Sequence, residues 1–150
     1  MKNILLLLVL NTAGVSFVSG QDNAPNDQQQ KAITTLIDQY SEARENRDTV
    51  ILKNILSPDI DQLVSTGEWR NGINAAVMGM LKSSANTLGT RTLAIDKIRM
   101  LNAGNAIVDC RYEIKNINGT TRKMWSTFMV VAEKEIWKIT AIRNMLPANQ

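Results

Sequence analysis

The sequence predicts an α+β domain in which a curved antiparallel sheet is wrapped by three helices. Apolar residues recur at helical spacing in three separate stretches between Ile33 and Leu81, and at a spacing of two from about Thr90 onwards. Two turn signals, Asn118-Gly119 and Glu133-Lys134-Glu135, divide the later stretch at hairpin positions. The phase of the apolar positions also changes once inside the stretch from Thr90 to Leu101, which marks a bulge. Helices segregated from an antiparallel sheet define the α+β class, and a bent sheet covered on one side encloses a conical cavity.

Residues 1–20 are expected to lie outside this domain. Lys2 precedes the apolar run Ile4 to Leu10, and Val18-Ser19-Gly20 supplies the small residues at which a signal peptidase cuts. The run is seven residues long, whereas about 20 are needed to cross a bilayer. The reading is a cleaved signal peptide, a mature start near Gln21, a secreted or periplasmic location and no membrane attachment afterwards. Residues 21–29 are polar and read as a flexible lead-in to a domain spanning 30–146.

Ile33, Leu36, Ile37 and Tyr40 fall at i, i+3, i+4 and i+7 on one face of the first helix, with Asn26 or Asp27 as its cap and Asn46-Arg47-Asp48 as its end. Asp48 then caps a shorter helix carrying Val50, Ile51, Leu52, Ile55 and Leu56. Ser57-Pro58 stops it, because the residue before proline is pushed out of the helical region. A short strand from Asp61 to Thr66 and a loop from Gly67 to Gly72 follow. Asn71 is the expected cap of a third helix with Ile73, Ala76, Val77, Met80 and Leu81, closed by a loop from Ser83 to Gly89.

Four long strands complete the chain. In the first, Leu93 and Ile95 are in one phase and Ile98 and Met100 in the other, which places the bulge near Asp96 and Lys97. The next alternates cleanly, with Ala106, Val108, Cys110, Tyr112 and Ile114 on one face and Asp109, Arg111 and Glu113 on the other. Asn118-Gly119-Thr120 is formally a glycosylation sequon, and its meaning here is the hairpin turn. The last pair runs from Arg122 to Met145 around the turn at Glu133 to Glu135.

Composition narrows the chemistry. Removing the leader leaves 130 residues, enough for one core. Lys2 is the only ionisable side chain lost, so 16 Lys and Arg face 14 Asp and Glu, mixed along the chain. No nucleic-acid partner is expected from that pattern. Cys110 is the only cysteine, so no intramolecular disulfide forms, and its VDCRYEI setting suits a small buried hydrophobe. The absence of histidine removes the commonest general base, the commonest zinc ligand and every His-dependent triad. No metal site and no cofactor are expected.

The acid turn Asn46-Arg47-Asp48, the break Ser57-Pro58-Asp59, Gly67 with Arg70-Asn71-Gly72-Ile73, and Trp137-Lys138-Ile139 running to Arg143-Asn144 form a set of local motifs. In these the chain resembles the nuclear transport factor 2-like superfamily, and in particular its SnoaL-like and SgcJ/EcaC-like secreted branch of domains of unknown function. The resemblance covers about residues 30 to 146. It implies a cystatin-like cone with a pocket at its open end and frequent dimerisation through the outer sheet face. It implies no single chemistry, because ketosteroid isomerase, scytalone dehydratase and polyketide cyclases share the fold. Where the isomerase places its pocket acids, this chain has Leu63-Val64-Ser65 and Ser126-Thr127-Phe128-Met129.

The candidate pocket lining is Tyr40, Trp69, Cys110, Tyr112, Trp125 and Arg143. One of Trp69 and Trp125 is alternatively exposed at a mouth or an interface, and Arg143 either holds an acidic head group or pairs with Glu113 or Asp109. The leading functional expectation is binding of a small hydrophobic ligand in a mainly apolar pocket, in a homodimer and without catalysis. The alternatives are an isomerase-, dehydratase- or cyclase-like enzyme using Tyr40 with Asp59 or Asp61 as a reduced acid/base pair, and a dimerisation or assembly module.

Overall fold

The computed structural model describes residues 24–86 and 89–148, so the expected leader and the start at Gln21 lie outside the described residues. Helix α1 (Asp27–Asn46) opens on a reciprocal capping box. The Asn26 side chain accepts the Gln29 N–H at 2.9 Å, and the Gln29 side chain accepts the Asn26 N–H at 3.0 Å. The box starts the helix at Asp27, so the last three residues of the expected lead-in are helical. The helix ends at Arg47 in the left-handed conformation, φ 56°. Asp48 Oδ1 then accepts the N–H groups of Val50 and Ile51, both at 2.9 Å, and caps α2 (Thr49–Ile55).

The chain turns extended one residue earlier than Ser57-Pro58 suggests. Leu56 opens β1 (Leu56–Leu63), so the expected strand from Asp61 to Thr66 is shifted towards the N-terminus. Pro58 is tolerated because it falls in the register break between Leu56 and Asp61, where no ladder donor is required. The expected loop contains a short strand, β2 (Trp69–Asn71), paired antiparallel to β1. Gly72, with φ 80°, supplies the first helical acceptor of α3 (Ile73–Asn86), since its carbonyl takes the Ala76 N–H at 3.0 Å. That position therefore belongs to Gly72 and not to Asn71. α3 also continues through most of the loop expected after Ser83.

Strands β3 (Gly89–Asn102), β4 (Asn105–Asn116), β5 (Thr121–Glu133) and β6 (Ile136–Met145) complete a curved, unclosed six-stranded sheet in the order β2-β1-β6-β5-β4-β3. The sheet is mixed. β1 runs parallel to β6, while the remaining neighbours are antiparallel, which corrects the expectation of a wholly antiparallel sheet. The register skips Asp96 between β3 and β4, so Leu93 and Ile95 before the bulge and Ile98 and Met100 after it all pack on the core. A further shift, at Met129/Val130, skips Thr140 of β6.

The inner sheet face and the three helices share one core, in which Ile33, Leu52, Met80, Val108, Phe128 and Ile139 are all essentially inaccessible. Gly79 of α3 has a particular role at its edge. A Cβ there would overlap the Arg70 side chain, which lies across the helix with only 11% of its surface exposed. Glycine inside a helix costs about 1 kcal/mol relative to alanine, so its presence is explained by the space Arg70 occupies.

Gly79→Ala is expected to destabilise the protein, as read by urea denaturation. In an Arg70→Ala background the same change is expected to stabilise it by about 0.5–1 kcal/mol. Equal effects in the two backgrounds would refute this packing account.

Candidate functional site

The buried stripe of α1 ends in a charge. Ile33, Leu36, Ile37 and Tyr40 are followed one turn later by Arg44, which is 7% exposed. An Arg44 Nη1 donates to the Tyr40 hydroxyl at 2.9 Å, and the guanidinium carbon is 5.7 Å from the Tyr40 ring centroid. Tyr40 in turn meets Phe128 of β5 edge-on, with centroids 5.1 Å apart. Burial raises the Tyr40 pKa and Arg44 only partly offsets it, so the phenol stays neutral at physiological pH. Desolvation opposes the Arg44 charge, but the two tyrosines, Tyr40 and Tyr112, hold its pKa above the ordinary arginine value. It remains a cation.

Other polar groups converge on this end of the cone. Gln62 of β1 is fully buried, and its carbonyl accepts from Arg70 Nη1 at 3.3 Å. Ser126 of β5 donates to Asn144 of β6 at 2.6 Å. Arg70 also donates through Nε to Glu68 at 2.8 Å, which holds the exposed Glu68 carboxyl below its usual range. Arg122 reaches across to the Ser65 hydroxyl at 2.8 Å. Most of these groups border one of two small neighbouring spaces that share Arg44, Tyr112 and Asn144 in their walls. The inner one is about 10 Å³, walled by Tyr40, Leu93 and Phe128. The outer one is about 60 Å³, walled by Gln62, Arg70, Arg122 and the apolar Val64, Ile114 and Met124. A roomier depression lies between α1 and the start of β6, but it is wide open and holds no buried polar group.

Tyr40 and Tyr112 thus face the interior. Cys110 points inward as well, but it is sealed in the core and borders neither space. Desolvation, with smaller effects from Asp109 and Asp96, pushes its thiol up to about 12. Trp69, Arg143 and Trp125 are on the opposite, outer face. Both Arg143 Nη atoms donate to the Asp61 carboxylate, at 2.9 and 3.0 Å, and the guanidinium stacks 4.8 Å from the Trp69 centroid. The partner of Arg143 is therefore Asp61, not Glu113 or Asp109. Trp125 pairs with Arg111 and Met145 and is 40% exposed.

Strand alternation explains the separation of Tyr40 from the acids. Ile60 and Gln62 point into the interior, so Asp59 and Asp61 point out of it. The reduced acid/base pair of Tyr40 with Asp59 or Asp61 is not assembled. The outer space carries more charge than an apolar pocket would, since three arginines border it. Arg44 was missed by the sequence reading, although a cation continuing an apolar helical stripe is a readable signal. Among the described residues, no three His, Cys, Asp or Glu side chains gather as a metal site, and no helix is long and apolar enough to cross a membrane.

No protein-family model matches the chain, and no curated protein sequence matches it. Solved structures do. A nuclear transport factor 2-like protein of unknown function from Shewanella oneidensis is 22% identical, with a TM-score of 0.66 over 77% of this chain and 98% of that one. A domain of unknown function with a cystatin-like fold from Nostoc punctiforme is 16% identical, with a TM-score of 0.73 over 83% and 81%. A nuclear transport factor 2-like protein with a cystatin-like fold from Novosphingobium aromaticivorans is 14% identical, with a TM-score of 0.68 over 81% and 83%. Three helices against a curved sheet, matched along most of both chains at these low identities, establish the fold: the chain has the nuclear transport factor 2-like, cystatin-like fold.

Proposed function

We propose that this chain is an exported domain that binds a small molecule at the polar end of its cone, without acid–base catalysis. One observation carries the reading. Arg44, Gln62 and Ser126 are buried around the two spaces, in an interior whose other described residues, apart from Ser57 and Ser84, are apolar. Burying polar groups costs free energy unless they are partnered, and a sheet needing only a core would place apolar residues there. Sites that bind small molecules combine apolar walls with a few converging polar groups. Among the described residues no carboxylate borders the two spaces, and Tyr40 keeps its proton at physiological pH, so binding is favoured over proton transfer. The outer space is equivalent to about two or three waters. A larger ligand extends outward past the exposed Arg122 side chain.

A second reading concerns the outer sheet face, where Trp69, Trp125, Met129 and Met145 are each at least 40% exposed. Apolar surface of that kind on one face supports a homodimer.

Native mass spectrometry of the protein purified from its own host's exported fraction is expected to show a small molecule in stoichiometric amount, released on denaturation and lost in Gln62→Leu. A clean unliganded protein that no member of a metabolite library stabilises would overturn the binding reading. Trp125→Glu is expected to convert a dimer to a monomer in sedimentation analysis while leaving the secondary structure unchanged. A wild-type protein that is monomeric at 100-fold dilution steps up to the highest attainable concentration would overturn the dimer.

A further inference from the structure

The charge balance at the polar end is one-sided. Arg44, Arg70 and Arg122 border the outer space, and among the described residues no carboxylate borders it. Arg70 has a rim partner in Glu68, and Arg122 has only the Ser65 hydroxyl. Arg44 is the extreme case. It is buried, none of the ion pairs among the described residues includes it, and its Nε has no hydrogen-bond partner. Glu45 acts on it only from a distance, because that exposed carboxylate is turned to Arg91 at 3.6 Å. The Tyr40 hydroxyl accepts from Arg44, and no described group accepts its own proton.

A desolvated cation without a counter-charge is among the most costly arrangements a protein interior holds. An anion in the outer space would lie beside the Arg44 guanidinium, with Arg70 and Arg122 and the side-chain amides of Gln62 and Asn144 on the same walls. The guanidinium plane offers paired donors that match the two oxygens of a carboxylate. Val64, Ile114 and Met124 supply apolar wall to the same space, beside Ser65, Ser83 and Tyr112. A bare inorganic anion would leave them unused.

Resting on the binding reading above, we infer that the ligand is a small organic carboxylate whose head group is held by Arg44, Arg70 and Arg122 and whose apolar body lies against Val64, Ile114 and Met124. The three arginines also draw anions to the mouth, so association weakens as salt rises.

The test is titration calorimetry of the mature protein with benzoate and hexanoate, each against its own amide, and with inorganic phosphate. The acids are expected to bind at least tenfold more tightly than the amides. Arg122→Ala, at an exposed position where folding is not at stake, is expected to weaken the acids several-fold and leave the amides unchanged. Arg44→Lys, which keeps the charge and loses the planar fork, is expected to weaken the acids at least tenfold. Equal binding of acid and amide would overturn the carboxylate assignment while leaving small-molecule binding intact. Tighter binding of phosphate than of either acid would overturn the organic carboxylate in favour of an inorganic anion. Failure of all probes, together with absence of any compound in the host-purified protein, would overturn both readings.

Discussion

The contact between Arg44 and Tyr40 is the constraint around which the polar end of this molecule is built. Both side chains lie on the buried stripe of α1, one turn apart, and the hydrogen bond between them fixes where the guanidinium sits. Phe128 supports the phenol from the sheet side. The interior changes character at this point: towards the start of α1 it is filled by Ile33, Leu36 and Ile37, and beyond Tyr40 it is bordered by arginine, glutamine, serine and asparagine. A protein that carries such a group gives up stability that an apolar side chain would supply, which is the usual signature of a site kept for function.

The sheet geometry puts the other groups within reach. The bulge at Asp96 lets one face of β3 stay inward along the whole strand and bends the sheet around α1. The parallel pairing of β1 with β6 brings Gln62 beside Ile142 on the inner face and leaves Leu63 beside Arg143 on the outer one. The same alternation that buries Gln62 sends Asp61 outward to its ion pair with Arg143. Two chemically different surfaces follow from one strand, a cationic interior and an outer face on which a tryptophan-stacked ion pair sits among exposed apolar side chains. Gly79 completes the arrangement by leaving room for Arg70 to cross α3.

Much of the fold was legible in the sequence because it depends on period and punctuation. The helical stripes, the Asp48 cap, the Asn118-Gly119 turn and the β3 bulge are local signals and stand where the residues put them. The parallel direction of β1 against β6 was not legible, since pairing direction is settled by the path of the chain and not by strand composition. β2 is too short, at three residues, to show a period. The site was read less well. Trp69, Trp125 and Arg143 have the residue types of a pocket, but a one-residue difference in register sends a side chain to the other face. Arg44 was overlooked because arginine is ordinarily a surface residue, and only its place on the stripe betrays it.

The central claim is that Arg44 is a buried cation with no ion-pair partner among the described residues, retained for a ligand. The most direct measurement is the unfolding free energy of Arg44→Met against the unsubstituted protein, both free of ligand, by urea denaturation at neutral pH. The account predicts that methionine, of similar length and without charge, stabilises the protein by about 1–2 kcal/mol, because removing a buried charge without a partner relieves its desolvation cost. A loss of about 2 kcal/mol or more would contradict it, since Arg44 would then be a satisfied structural group whose hydrogen bond and ring contact with Tyr40 hold the cone together.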